Sequence, residues 1–275
     1  MDDGKDDAGR RHLPPRQNVT VLEAEVRQAV RELKRPALGL MMSGLIAGFT
    51  IGTSVLAMLM FMEFGDHLAP LTLRLMIANA YAVGFVLVIL SHTDLFTEYT
   101  TIALLPVFAG EAGFGSLARL WTIIFLSNLV GCFVFAAVLV AVSPNLEIAS
   151  AETISEAAAD LVGYPWWLMS LSAMLAGWLM GLLGWLVSSS QDTIGQIVFV
   201  WLIGSVIGLG NLHHSIVGAL EMFAALLVAG PITIQDTGRF LFIVTLGNIL
   251  GGALFAAIIR FSVLIIGEQG KGRSS

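Results

Sequence analysis

GNLHHSIVGALEMF, residues 210–223, sets two adjacent histidines inside one of the most apolar parts of the chain. The residues before it, GQIVFVWLIGSVIGL (195–209), are nearly free of polar side chains, and Glu221 follows the histidines by one and a half to two helical turns. Ionisable groups in such surroundings are costly unless they are paired or serve a pathway. His213 and His214 therefore define the question that the rest of the sequence answers.

Of 275 residues, 56% are hydrophobic and only 12% charged, against about 25% charged in soluble domains. Most of such a chain is solvated by lipid. A net charge of −6 with no basic stripe excludes nucleic acid as a partner, and 29 glycines suit closely packed membrane helices. The single cysteine, Cys132, excludes an intrachain disulfide. The polar start MDDGKDDAGRRHLPPR lacks the apolar core of a cleavable signal, so the first apolar span is expected to act as the insertion signal.

Residues 1–18 are expected to form a disordered tail, and 268–275 a second short one. Thr20 and Glu23 have capping-box spacing, with Val19, Leu22, Val26, Val30 and Leu33 on one helical face. Together they predict an amphipathic surface helix over 19–35, ending at Lys34-Arg35-Pro36. Six membrane-crossing elements are expected within 36–267. Four are plain spans, about 37–62, 121–142, 166–187 and 240–266, each long enough to cross the hydrocarbon core. Two are interrupted. One runs 75–90, breaks at SHTDLFTEYT and resumes as TIALLPVFAG; the other runs 195–209, breaks at GNLHHS and resumes as IVGALEMFAALLVAG. Breaks at matching places in two halves predict an inverted repeat with its site at the interruptions. A short surface helix, AETISEAAADLV, is expected in the loop 143–165.

With both termini on the cytoplasmic side, twelve of the fourteen lysines and arginines fall there, eight of them before the first span, and only Arg74 and Arg239 fall outside. This is the positive-inside bias. Irregular backbone at membrane depth must be covered by protein or line a cavity. The half-helix that follows each break is expected to present N–H groups that attract an anion.

DLFTEYT (94–100), HHSIVGALEMF (213–223) and TLGNILGGALF (245–255) resemble three signature regions of the formate/nitrite transporter family. The resemblance covers about residues 20–267. It implies an all-α membrane protein with an aquaporin-like inverted 3+3 repeat, helices 2 and 5 broken, assembled as a homopentamer in a bacterial inner membrane. It also implies passage of small monovalent anions of weak acids, of the formate, nitrite or hydrosulfide type, assisted by a proton and without a cofactor. By that resemblance the pore threonine is Thr97, the central histidine His214, and the apolar constriction Leu95 and Phe96. Tyr81, Phe85 and Ile207 stand at the apolar gates by offset, and Asn248 near a pore mouth. The chain departs from the common pattern in having His213-His214 for Glu-His and Val217-Gly218-Ala219 for Ala-Asn-Met. It also has no lysine in LVGYPWWLMSL, and it adds Glu98 and Glu221. It resembles a divergent branch.

Each residue also has a plainer use. His214 could bond a backbone carbonyl, and His213, pointing elsewhere, is expected to pack or support; no ligand spacing makes a metal site of them with Glu221. Glu98 and Glu221 either satisfy loop N–H groups or line the pore and turn selectivity towards a cation or neutral solute. Asp94 is expected to cap a helix end or loop, and Thr97 is a pore hydroxyl or a loop cap. Asn79, Asn128 and Asn248 are candidates for interhelical bonding. No HExxH or GxSxG motif supports an enzyme, and no Asn-Pro-Ala pair supports a water channel.

Overall fold

Long apolar runs without strand-like alternation fold into helices, which satisfy every backbone group internally. The computed structural model describes residues 15–190 and 192–271, and they form twelve helices among the described residues. Helix α1 (Pro15–Leu33) buries Leu22, Val26, Ala29 and Leu33 and exposes Arg27 and Gln28. Because it begins at Pro15, Thr20 lies inside the helix and not at its N-cap. Residues 15–18 of the expected tail are helical, and residues 1–14 lie outside the described ones.

Helices α2 (Ala37–Thr50) and α3 (Gly52–Phe64) join at Ile51, which keeps helical angles of φ −60° and ψ −22°, so they form one 28-residue apolar rod. Helix α4 (Pro70–Leu90) starts with proline at its first turn, where no N–H is needed. Two short helices, α5 (Phe96–Ile102) and α6 (Leu104–Phe108), follow. Helix α7 (Phe114–Leu146) is 33 residues long, and α8 (Ala151–Val162) is capped by Ser150, whose hydroxyl accepts from the Thr153 N–H. Helix α9 (Trp166–Ser189) precedes α10 (Thr193–Leu209), α11 (Ser215–Leu227) and α12 (Ile234–Lys271). The last extends through 268–271 of the expected second tail.

Among the described residues, five segments are long and apolar enough to cross a membrane: Ala37–Phe64, Pro70–Leu90, Phe114–Leu146, Trp166–Ser189 and Ile234–Ile259. Helices α10 and α11 are apolar but shorter. The protein is an integral membrane protein.

Packing follows a doubled pattern. Helix α2 lies against α7, and α9 against α12. Glycine permits both approaches. A Cβ on Gly48 or Gly131 would run into the backbone of Asn128 or Leu45, and one on Gly177 or Gly251 into that of Asn248 or Met174. Four glycines thus hold two helix pairs at backbone contact.

Candidate functional site

The two breaks between helices, after α4 and after α10, are built alike. After α4, the Ser91, His92 and Thr93 N–H groups bond back to Leu87, Ile89 and Val88; after α10, those of Gly210, Asn211 and Leu212 bond to Val206, Gly208 and Ile207. The middle residue of each turn, His92 or Asn211, takes a left-handed conformation (φ 52° and 49°). The non-helical stretches are only Ser91–Leu95 and Gly210–His214, shorter than SHTDLFTEYT suggests, since α5 already starts at Phe96.

One asparagine braces each break. Asn128 on α7 accepts from the Phe96 N–H (2.8 Å) and donates to the carbonyls of Gly44 (2.7 Å) and Asp94 (2.9 Å). Asn248 on α12 accepts from the Ser215 N–H (2.8 Å) and donates to Ala173 (2.9 Å) and His213 (3.0 Å). An amide offers one acceptor and two donors in a single side chain, which is what a break needs. Both asparagines are fully buried. Asn248, expected near a pore mouth, is therefore a brace. The first N–H of each following helix is also spent on these asparagines, so it is not free to attract an anion.

The braces bring the two breaks together. His214 Nε2 lies 2.7 Å from Thr97 Oγ1. His214 Nδ1 accepts from the Val217 N–H (3.3 Å), capping α11. An Nδ1 that accepts carries no proton, so the neutral ring holds its proton on Nε2 and donates it to Thr97. The hydroxyl proton of Thr97 then remains available for a third group. A charged ring would point Nδ1–H at the Val217 N–H and at the positive end of α11, so the resting ring is neutral.

Above this pair opens a vestibule of about 860 Å³ on the α8 side. Its rim includes the exposed Arg74, Asp160, Tyr164 and Asn211, and its floor the buried Tyr81, Ile207, His214 and Glu221. Phe85 sets its ring edge-to-face with His214 at 5.1 Å and stacks with Tyr81 at 5.3 Å. Glu63 at the end of α3 anchors α8 beside the vestibule, accepting from the Ser150 N–H (2.8 Å), the Ser150 hydroxyl (3.0 Å) and the Thr153 hydroxyl (2.5 Å).

Other expected residues fall elsewhere. Phe96 turns sideways and packs edge-on against Phe125 and Trp121 of α7, at 4.9 and 6.3 Å. It is a packing residue, and Leu95 beside it is wholly buried in the core. Glu98 does not line the vestibule, whereas Glu221 does. His213 lies on the vestibule wall but is fully engaged. Its Nε2 donates to the Leu161 carbonyl (3.0 Å), its Nδ1 accepts from the Ser172 hydroxyl (2.9 Å), and Tyr164 packs on it. Asp94 is held by Arg35 Nη1 (3.0 Å) and the Tyr99 hydroxyl (2.8 Å), which ties the first break to the end of α1. The Arg35 guanidinium, beside Glu32 and Asp94, stays charged throughout the accessible pH range despite partial burial. Asn128 does bond between helices, as expected, but its partners at the break and the clamping role of Arg35 had no signal in residue spacing, because each acts across distant segments.

The family model for the formate/nitrite transporter matches residues 19–262. The inner membrane protein YfdC of Escherichia coli (strain K12) is 29% identical over 252 residues, 90% of this chain and 78% of that protein. Among solved structures, an FNT family ion channel superposes with a TM-score of 0.79 at 22% identity, covering 89% of this chain and 98% of that one. A pentameric formate channel with formate bound superposes at 0.74 and 17%, covering 83% and 98%. The chain belongs to the formate/nitrite transporter family.

Proposed function

We propose that this protein is a membrane channel or carrier for small monovalent anions of weak acids, of the formate and nitrite type, and that the substrate passes His214 transiently protonated. The observation that carries this reading is the Thr97–His214 hydrogen bond, whose histidine lines the floor of the vestibule. The imidazole shares that floor with Tyr81 and Ile207, and Phe85 packs edge-on against it. An ion pays a high desolvation cost across such an apolar passage, and its neutral acid a small one. Thr97 donates its free O–H to the substrate oxygen. A proton that reaches His214 at Nδ1 breaks the Val217 bond. The imidazolium passes its Nε2 proton through the Thr97 hydroxyl to the substrate oxygen, and the ring regains its resting tautomer when Nε2 takes up a proton and Nδ1 releases its own.

In this reading α4 with α5–α6, and α10 with α11, are the broken second and fifth of six crossings, and the two halves are inverted repeats. The matched breaks and matched asparagines support it. Residues 36–267 form one transport domain, with α1 on the cytoplasmic surface, both termini inside and the protein in a bacterial inner membrane. The similarity to a pentameric channel supports a homopentamer. Exposed apolar side chains such as Leu126, Val130 and Phe133 would then face lipid or a neighbouring protomer.

Proteoliposomes test this. Formate or nitrite uptake should rise as the outer pH falls. His214→Ala should flatten that rise, and Thr97→Val, which keeps shape but loses the hydroxyl, should slow uptake by about tenfold or more. Uptake of ammonium or a neutral solute with no uptake of either anion would overturn the reading.

A further inference from the structure

The vestibule contains a carboxyl group that the proton path above does not use. Glu221 is only 6% exposed, lines the floor, and has no hydrogen-bond partner among the described residues. A second unpartnered group, the Tyr81 hydroxyl, is equally buried in the lining of the same vestibule and within electrostatic reach of the carboxylate. Two buried polar groups without protein partners on one cavity wall mark a place for a ligand.

The surrounding charges do not neutralise Glu221. Asp160 on the exposed rim adds to its field, while His213 and His214 are bound as neutral rings. Arg74, the cation of the rim, spends two N–H groups on the Leu209 carbonyl, at 3.1 and 2.8 Å. The chemistry of the pair is selective. A neutral acid can donate its O–H to Glu221 and accept from the Tyr81 O–H. Once the Glu221 carboxyl is ionised, a bare anion, which has only acceptors, gains Tyr81 but meets the lone pairs and the charge of the carboxylate.

We propose that Glu221 makes the vestibule sort anions by acid strength, turning back those that stay charged and admitting those that can arrive as the neutral acid. This specificity role rests on the weak-acid reading above and adds to it a residue that selects before His214 is reached. The floor of the vestibule is thereby the selective step, and the Thr97–His214 pair returns a proton to an admitted acid that ionises again at the constriction.

Nitrite and nitrate separate the two ideas, since they are similar in size but one is the anion of a weak acid and the other of a strong one. Uptake of each into proteoliposomes is measured at mildly alkaline pH for the wild type, Glu221→Gln and Glu221→Asp. The wild type should take up nitrite and exclude nitrate. Glu221→Gln should raise nitrate uptake about tenfold or more, the usual scale for a wall charge in a low-dielectric cleft. Glu221→Asp keeps the charge and should still exclude nitrate. If Glu221→Gln excludes nitrate as the wild type does, or if both variants leak equally, the inference fails. If the wild type takes up no nitrite at all, the weak-acid reading fails instead.

Discussion

Asn248→Ala tests the framework of the site. Three hydrogen bonds vanish with the amide, from the Ser215 N–H and to the carbonyls of His213 and Ala173. The Ala173 oxygen lies inside α9 and keeps its main-chain partner. The other two groups belong to the break and are left without one, in a place with no exposed surface. A buried orphaned group costs about 1–3 kcal/mol. Hydrogen bonds between membrane helices average only about 0.6 kcal/mol, which sets the floor. The loss is thus about 2–6 kcal/mol, a large share of the roughly 5–15 kcal/mol that holds a domain folded. In detergent the variant should show a clearly lower midpoint for thermal loss of the folded protein, and the His214–Thr97 bond should loosen, so transport falls too. Asn248→Asp keeps an acceptor for the Ser215 N–H but aims a second oxygen at two carbonyls, and should be no better than alanine. A residue that merely lined a pore would give the opposite pattern. If Asn248→Ala keeps the wild-type midpoint while uptake drops, the bracing role is refuted.

Two further outcomes follow from the packing. Gly251→Ala places a Cβ against the Met174 carbonyl and the Trp178 N–H, backbone atoms that cannot swing aside, and should cost about 1–3 kcal/mol or more by the same thermal assay; Gly39→Ala, with nothing within 4 Å, should be neutral or slightly stabilising. On α1, burial pushes the Glu25 carboxyl above its usual range, more than its hydrogen bond with Ser188 lowers it. The raised value in the seated helix favours the protonated form, so seating is stabilised in acid and weakens as pH rises through the titration of the buried carboxyl. A spin label on Gln28→Cys should report a more mobile α1 at higher pH, and Glu25→Gln should remove that dependence; a label with the same pH response in both backgrounds refutes it.

Much of this architecture is legible in the chain because lipid forces long apolar runs into helices and leaves polar interruptions conspicuous. The helix AETISEAAADLV appears over Ala151–Val162, and the two interruptions at SHTDLFTEYT and GNLHHS meet at the Thr97–His214 bond. What stays hidden is anything decided by a partner far along the chain. Phe96 beside Thr97 looks like a pore residue until Phe125 and Trp121 are found against it. Asn248 in an apolar helix reads first as a pore group and otherwise as interhelical glue, and only the position of Ser215 shows the brace. Glu98 and Glu221 look equivalent in composition, yet helical phase puts one on the vestibule and the other away from it.

The matched breaks also explain why the centre of the site holds one imidazole and not two. Backbone positions correspond in order: Asp94 with His213, Leu95 with His214, Phe96 with Ser215, Thr97 with Ile216. The shared frame needs only a carbonyl at the first of these and an N–H at the third, both taken by an asparagine. The second and fourth are free to differ, and they do so in a complementary way. One half offers leucine then threonine, the other histidine then isoleucine, so each half contributes one polar group and one apolar one. Two facing histidines would repel whenever one was charged, and two threonines would have no group that titrates near neutrality. A single histidine against a single threonine leaves one exchangeable proton at the junction, in a setting whose rigidity comes from the duplicated asparagines. Exchange of the pair, Thr97→His with His214→Thr, keeps that composition, but it removes the ring that caps α11 through the Val217 N–H. The swapped protein should therefore fold less stably than the wild type, although the frame around both breaks is unchanged.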